Sequence, residues 1–366
     1  MSAYWENKRR ELIAKLPTIF DVLNMLSYAD EKWALEKTDF RLLYPSYIHE
    51  GKFDVVKFPD GKERLIPMGI SFNVYYRGES SNHCPCLPSL YRRDKNGHYM
   101  EDSKIFLERL KTCELELLIE DYPITHIFRS GITRVFSDGT TVVLNLSVDA
   151  EALAQHYGIK TNLMDLTIDK FVAAFFATTK YEKGRYAPIT PEDSAYGVFY
   201  RYIDTSAIDD IFSKRLHVVG LQPFSRPGEQ AGFVLELKKG EDFRKFCSSK
   251  IKFRQDEAMS KLIFNYMNHA QKLFPCNILE GKAKAICMGK KYSKQALALC
   301  QQKYFTGEDA SVIQSYVKKE GLFIVDGSPY AFSQKEKQQV LKEWEEKGFE
   351  QFQSKIVLRE FIPSET

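Results

Sequence analysis

The stretch IDKFVAAFFATTKY, residues 168–181, is apolar on nearly every side of a helix. A helix of that kind is buried, so the rest of the chain has to supply layers that cover it. Several segments read as strands. FNVYYRG (72–78) alternates and is rich in aromatic and β-branched residues, and GVFYRY (197–202) and GFVLEL (232–237) share its texture. The 26 Phe and 20 Tyr among 366 residues are an aromatic excess that goes with a large, sheet-containing core. The expected class is α+β, with a central mixed or antiparallel sheet and buried helices. An N-terminal helical and extended preface over 1–68 and a mostly helical region over 256–366 flank the sheet domain at 69–255. No GxGxxG or Walker glycine loop supports a doubly wound nucleotide domain.

Local patterns fill in this outline. KRRELIAKLPTIFDVLNML has helical spacing at Leu12, Leu16, Ile19 and Leu23, and Pro17 is placed to start a second helix. Asp60-Gly61 and Asp138-Gly139 mark turns. Phe106, Leu110, Cys113 and Leu117 form one stripe of a helix that stops near Pro123, and its glutamates, Glu108, Glu116 and Glu120 among them, are expected on a wet face. Ser147 can cap the next helix, and Gly158 is placed to end it. Further on, AMSKLIFNYMNHAQKLF and SKQALALCQQKYF read as helices. Ser333 and Glu336 make a capping box, and SKIVLREFIP alternates like an edge strand.

Charge and cysteine content narrow the function classes. A net charge of +3 is too small to argue by itself for a nucleic-acid or membrane surface. The longest apolar run, FVAAFFA, falls far short of a membrane span, and MSAYWENKRRELIAKL lacks the apolar core of a signal peptide. A soluble, cytoplasmic protein is expected, with seven cysteines as free thiols. His83, Cys84 and Cys86 invite a zinc reading, but no second pair of ligands at metal spacing completes a tetrahedral set, so no metal is expected.

Three blocks carry more polar groups than a core requires. Arg77, with Glu79, ends a strand beside Tyr75, Tyr76 and Gly78, where a planar guanidinium suits a phosphate or a carboxylate; an arginine at a strand end can equally lay its methylenes on the sheet. His156 stands near a helix C-terminus, where a cation is stabilised without any chemistry. Asp165 and Thr167 precede the buried helix and would serve as well for an N-cap as for a site. Glu229 and Gln230 sit at the entrance of a late strand.

Taken together, YYRGE, CLPSLYRR, ALAQHYGIKTNLMDLT and AAFFA resemble the FRG domain family, named for an aromatic-Arg-Gly signature. The matching positions are Arg77 and Gly78; Leu87 to Leu90 and Arg92; Gln155, His156, Gly158, Thr161, Leu163, Asp165 and Thr167; and Gln230, Gly232 and Phe233, across roughly 70–240. Asn162 and Leu166 stand where arginine and tryptophan are common in the family. The resemblance implies which residues gather, not what they do.

The order of these blocks is similar in layout to ADP-ribosyltransferases. That layout implies Arg77 on the phosphates of NAD, with Tyr75 or Tyr76 stacked on nicotinamide and Thr161 and Thr167 supporting the pocket; Gly78 and Arg92 are further ligand-binding candidates. His156, Asp165, Glu229 and Gln230 are then the candidates for chemistry at the ribose, although an amide at 230 cannot act as a base. Three readings stay open. The first is an intracellular effector, of the toxin or anti-phage kind, that uses NAD as substrate and a protein or nucleic acid as acceptor. A non-enzymatic module binding a phosphorylated small molecule, nucleotide or nucleic acid is the second. A metal-dependent nuclease is the third. The acceptor, the ligand and the oligomeric state are not encoded in any of these patterns.

Overall fold

The computed structural model describes residues 3–30, 53–57, 63–67, 74–130, 132–135, 141–144, 148–203, 215–219 and 223–355. Its centre is a six-stranded antiparallel sheet. The strands are β3 (Val74–Glu79), β6 (Leu163–Thr167), β9 (Tyr196–Ile203), β10 (Leu216–Val218), β11 (Gly232–Glu236) and β12 (Ser249–Arg254), in the order β10-β11-β6-β3-β9-β12. β3 and β11 thus share a sheet, separated by β6, as their common texture leads one to expect. Four further pairs stand apart: β1 (Phe53–Lys57) with β2 (Glu63–Pro67), β4 (Ile132–Val135) with β5 (Thr141–Leu144), β7 (Thr179–Glu182) with β8 (Arg185–Pro188), and β13 (Lys291–Ser293) with β14 (Phe323–Val325). The Asp-Gly turns between the first two pairs lie outside the described residues.

Strand alternation divides the core in two. On one face Tyr75, Met164, Leu166, Tyr200 and Phe233 join Phe106 and Leu110 of α3 (Asp102–Glu120), and this cluster continues into the C-terminal helices. Those helices are α9 (Ile278–Met288), α10 (Lys294–Tyr304), α11 (Ala310–Lys319) and α12 (Gln334–Lys355). On the other face Tyr76, Phe199 and Phe253 pack on α6 (Lys170–Thr178), α8 (Glu257–Tyr266) and a second N-terminal helix, α2, over residues 19–30. α1 (Ala3–Ala14) precedes it, and Thr18 and Asp21 cap α2 reciprocally just after Pro17. Among the described residues no helix is long and apolar enough to cross a membrane.

Several expectations need correction. Phe175 and Val172 of α6 are buried, but Phe171 is 40% exposed and meets the exposed Tyr266 ring of α8, on the side of the helix turned from the sheet core. Asp169, not Asp165 or Thr167, caps that helix by accepting from the amides of Phe171 and Val172. The glutamates of α3 are not a wet face: α10 lies across the helix, Glu116 pairs with Lys303, and Glu114 is fully buried, accepting from the Ser293 amide at 2.7 Å and hydroxyl at 2.9 Å. α8 ends at Tyr266 rather than running to Phe274, since Asn268, His269 and Ala270 all take left-handed φ. The Ser333–Glu336 capping box is present, each side chain accepting from the other's amide. Ser354 and Lys355 belong to α12, and the rest of the expected edge strand lies outside the described residues, as does Ser147.

Candidate functional site

β3 and β6 pair only at Tyr76 and Thr167, while β3 pairs with β9 along its whole length. Beyond that single point the two strands part. Arg77 spans the gap: its Nη1 donates to the carbonyl of Asp165 at 2.9 Å, where a ladder bond would otherwise lie. Its Nε donates to Glu79 Oε1 at 3.2 Å, and Glu79 also accepts from the Cys86 thiol and the Tyr200 hydroxyl. Burial alone would disfavour the Arg77 cation, but Glu79, with Cys86 and Asp165 behind it, holds its pKa above the ordinary value. Burial also pushes the Cys86 thiol up to about 12, so it is a neutral donor here. Gly78 is required by packing: a Cβ there would fall 1.9 Å from the carbonyl oxygen of Ala173 on α6.

The second wall is built from α5 (Ala150–His156) and the turn into β6. Asp149 caps α5 by accepting from the Ala152 amide, and Gly158, at φ +88°, releases the chain from the helix. Thr161 then locks the turn, giving its hydroxyl to Gln155 and its amide to the Ser89 hydroxyl at 3.1 Å. Asn162 accepts from Arg109 of α3 at 2.9 Å, so a guanidinium does reach this turn, supplied from a different element.

These constraints set His156 against Asp165. The imidazole is buried, with 5% of its side chain exposed, and its Nε2 lies 3.9 Å from Asp165 Oδ1, a separation too long for a hydrogen bond. Neither atom has a hydrogen-bond partner, although both are shielded from solvent. The Asp165 side chain as a whole is 47% exposed, into the cleft. Burial, and to a lesser degree the nearby Arg226 cation, lower the pKa of His156, while Asp165 and Gln230 act in the opposite direction; the net result favours a neutral ring. Arg226 is on α7 (Ser225–Glu229), where it donates to the carbonyl of His156 at 2.9 Å, pairs with Glu280 and covers the Tyr157 ring. Gln230 follows directly. Its side chain donates to the Leu273 carbonyl, and its own carbonyl accepts from the Thr167 hydroxyl at 2.8 Å.

A cleft of about 220 Å³ opens between the two walls. It brings together Tyr76, Arg77, Gly78, Arg92, His156, Asp165, Thr167 and Gln230, which run from position 76 to position 230 of the chain. Three other candidates are placed elsewhere. Tyr75 is fully buried on the opposite side of β3, 4.8 Å from the ring of Phe233, so it cannot stack on a ligand. Thr161 is fully buried within its turn. Glu229 is not among the residues that line the cleft. Glu79, singled out with Arg77 from the sequence, does line it; sequence reasoning passed over Phe176, which also lines it, and Arg226, which supports His156 from behind. The AAFFA segment contained a signal for Phe176, but a buried arginine leaves no periodic trace. Among the described residues no group of three or more His, Cys, Asp or Glu is placed to hold a metal. Cys84 accepts from Arg244 at 2.8 Å, and Cys86 is turned inward to Glu79.

The family model of the FRG domain matches residues 72–185, which include the strand of Arg77, the Ser89 segment, α5, β6 and α6. The chain carries an FRG domain. No curated protein and no solved structure matches the chain. The matched span of the FRG domain supplies most of the cleft, while Gln230 and Gly232 reach it from beyond position 185.

Proposed function

We propose that the FRG domain binds a phosphorylated nucleotide in this cleft and transfers its ribosyl group, with NAD as the donor class. Asp165 carries the reading. It is a carboxylate half-exposed to the cleft and backed by an imidazole whose lowered pKa favours the neutral ring and whose Nε2 has no hydrogen-bond partner, with the arginines Arg77 and Arg92 beside it. In the transfer step the bond between the ribose anomeric carbon and the nicotinamide nitrogen breaks, and its electron pair leaves with neutral nicotinamide. The Asp165 carboxylate stabilises the positive charge that develops on the ribose. An acceptor nucleophile then forms the new bond at the anomeric carbon and gives up its proton to the Asp165–His156 pair. Asp165 thus takes the part that the motif order assigned to Glu229. Such an enzyme suits an effector of the toxin or anti-phage kind.

The test is nicotinamide release from NAD, followed by chromatography, together with NAD binding by calorimetry. Asp165→Asn should lower release by about 10²- to 10³-fold while binding persists. Glu229→Gln should leave both unchanged. Turnover retained in Asp165→Asn, or absent from the wild type while NAD still binds, would remove the catalytic reading and leave a binding module.

A further inference from the structure

Behind the two arginines lies a second cavity, of about 200 Å³, bounded by Ser89 and by the turn that runs from the end of α5 into β6. The two cavities have three residues in common: Arg77, Arg92 and Asp165. The guanidinium pair is therefore the boundary between two chambers, not the floor of one. Direct pairing of these cations is uneven, with the Asp165 carboxylate at the boundary of both chambers. Glu79 is the carboxylate that pairs with Arg77. Arg92 has only a long contact, 3.5 Å, from its Nε to the Leu87 carbonyl, and it has no carboxylate partner among the described residues. Lys160, at the rim of the second chamber, also has no carboxylate partner for its ammonium among the described residues. Burial and then the neighbouring Arg77 charge lower the pKa of Arg92, against the opposing pull of Glu79 and Asp165.

The chambers differ in character. The first is lined by Asp165 and His156 with the aromatic residues Tyr76 and Phe176, whereas the second is lined by Ile159, Leu163 and Lys160. A mononucleotide fills one chamber and leaves the other empty. A ligand with its anionic charge at its centre and a base on each arm fills both. Resting on the ribosyl-transfer reading, we infer that the FRG domain takes an intact dinucleotide: the pyrophosphate lies between Arg77 and Arg92, the reactive ribose and its base in the first chamber, and the distal nucleoside in the second under Lys160. Specificity for the whole dinucleotide then belongs to the second chamber, apart from the residues that touch the reacting carbon.

Calorimetric titration with four probes tests this: NAD, ADP-ribose, nicotinamide mononucleotide and AMP. The wild type should bind NAD and ADP-ribose more than about tenfold tighter than either mononucleotide. Lys160→Glu, at an exposed position whose ammonium has no carboxylate partner among the described residues, should weaken NAD and ADP-ribose by about tenfold or more and leave nicotinamide mononucleotide unchanged. If nicotinamide mononucleotide binds as tightly as NAD, or if Lys160→Glu binds NAD as the wild type does, the second chamber is not a subsite and the inference falls, while Asp165-dependent release of nicotinamide would still uphold transfer in the first. Failure of all four probes to bind would overturn both.

Discussion

Replacing Gly78 by alanine tests a close backbone approach between β3 and α6. The added Cβ would sit 1.9 Å from the Ala173 carbonyl oxygen and 2.7 Å from the Ala177 Cβ. A carbon beside a carbonyl oxygen rests at about 3.3 Å, so β3 and α6 would have to part by roughly 1.4 Å. Neither side yields easily. β3 is paired with β9 from Val74 to Glu79, and α6 is fixed by its Asp169 cap and by Phe175, buried against Phe264. The obstructing atom is backbone, with no rotamer to change, so the cost should reach the upper end of overpacking penalties, about 3 kcal/mol or more. Urea unfolding followed by circular dichroism measures it. Gly281→Ala is the internal control: that glycine is inside α9 with no atom within 4 Å of its added Cβ, and the change should stabilise by about 0.5–1 kcal/mol. Should Gly78→Ala unfold within about 0.5 kcal/mol of wild type, the close packing of β3 on α6 is wrong.

Phe175→Ala should cost about 3–5 kcal/mol in the same assay, since the ring is fully buried among aromatic neighbours. Glu114→Ala leaves the Ser293 amide and hydroxyl without their charged acceptor and should cost about 3 kcal/mol; an unchanged urea midpoint would contradict the seating of β13 and α10 on α3. Arg77→Lys keeps the charge but loses the fork that reaches both Glu79 and Asp165, so it should lower stability by about 1.5–3 kcal/mol as well as weaken NAD binding. Because folding lowers the His156 pKa below its ordinary 6.5, the unfolded chain binds more protons in the window below that value. Its contribution to stability is therefore fully present above about pH 6.5 and is lost on acidification. His156→Gln should flatten that slope, and an identical pH profile in the variant would count against a neutral ring in the fold.

Much of the sheet was legible because its strands are short, aromatic and alternating, and the buried helix because it lacks a polar side. Alternation also placed Tyr75 and Tyr76 on opposite faces. It could not say which face meets the cleft, since that depends on α6 lying over Gly78 from the far end of a different motif. The convergence of Arg77, His156, Asp165, Thr167 and Gln230 follows the order of the motif blocks. That Asp165 lines the cleft and Glu229 does not is not legible there: it depends on β3 and β6 parting after a single paired residue, a tertiary event with no local signature. Arg109 and Arg226 were hidden for a related reason. Each serves a turn or a ring more than 50 positions away in the chain, and nothing beside it in the sequence marks it as buried. The early stop of α8 was equally hidden, because one of its left-handed positions is an alanine and no glycine announces it.

The strand order bears on how this protein can be cut. The segment shared with the FRG family, 72–185, holds β3 and β6 of the central sheet but none of β9, β10, β11 or β12. Those two strands touch at one residue pair, while their long partners, β9 and β11, come later in the chain. Excising 72–185 would therefore leave two strands with their outward edges bare and almost nothing between them, a fragment prone to stick to other copies rather than fold. The unit recognisable by homology is smaller than the unit that can stand alone, and a fragment meant to keep the cleft intact has to run at least through β12 and carry α2, whose Asp30 accepts from Tyr76, Lys170 and Arg201 and moors the cleft wall from outside.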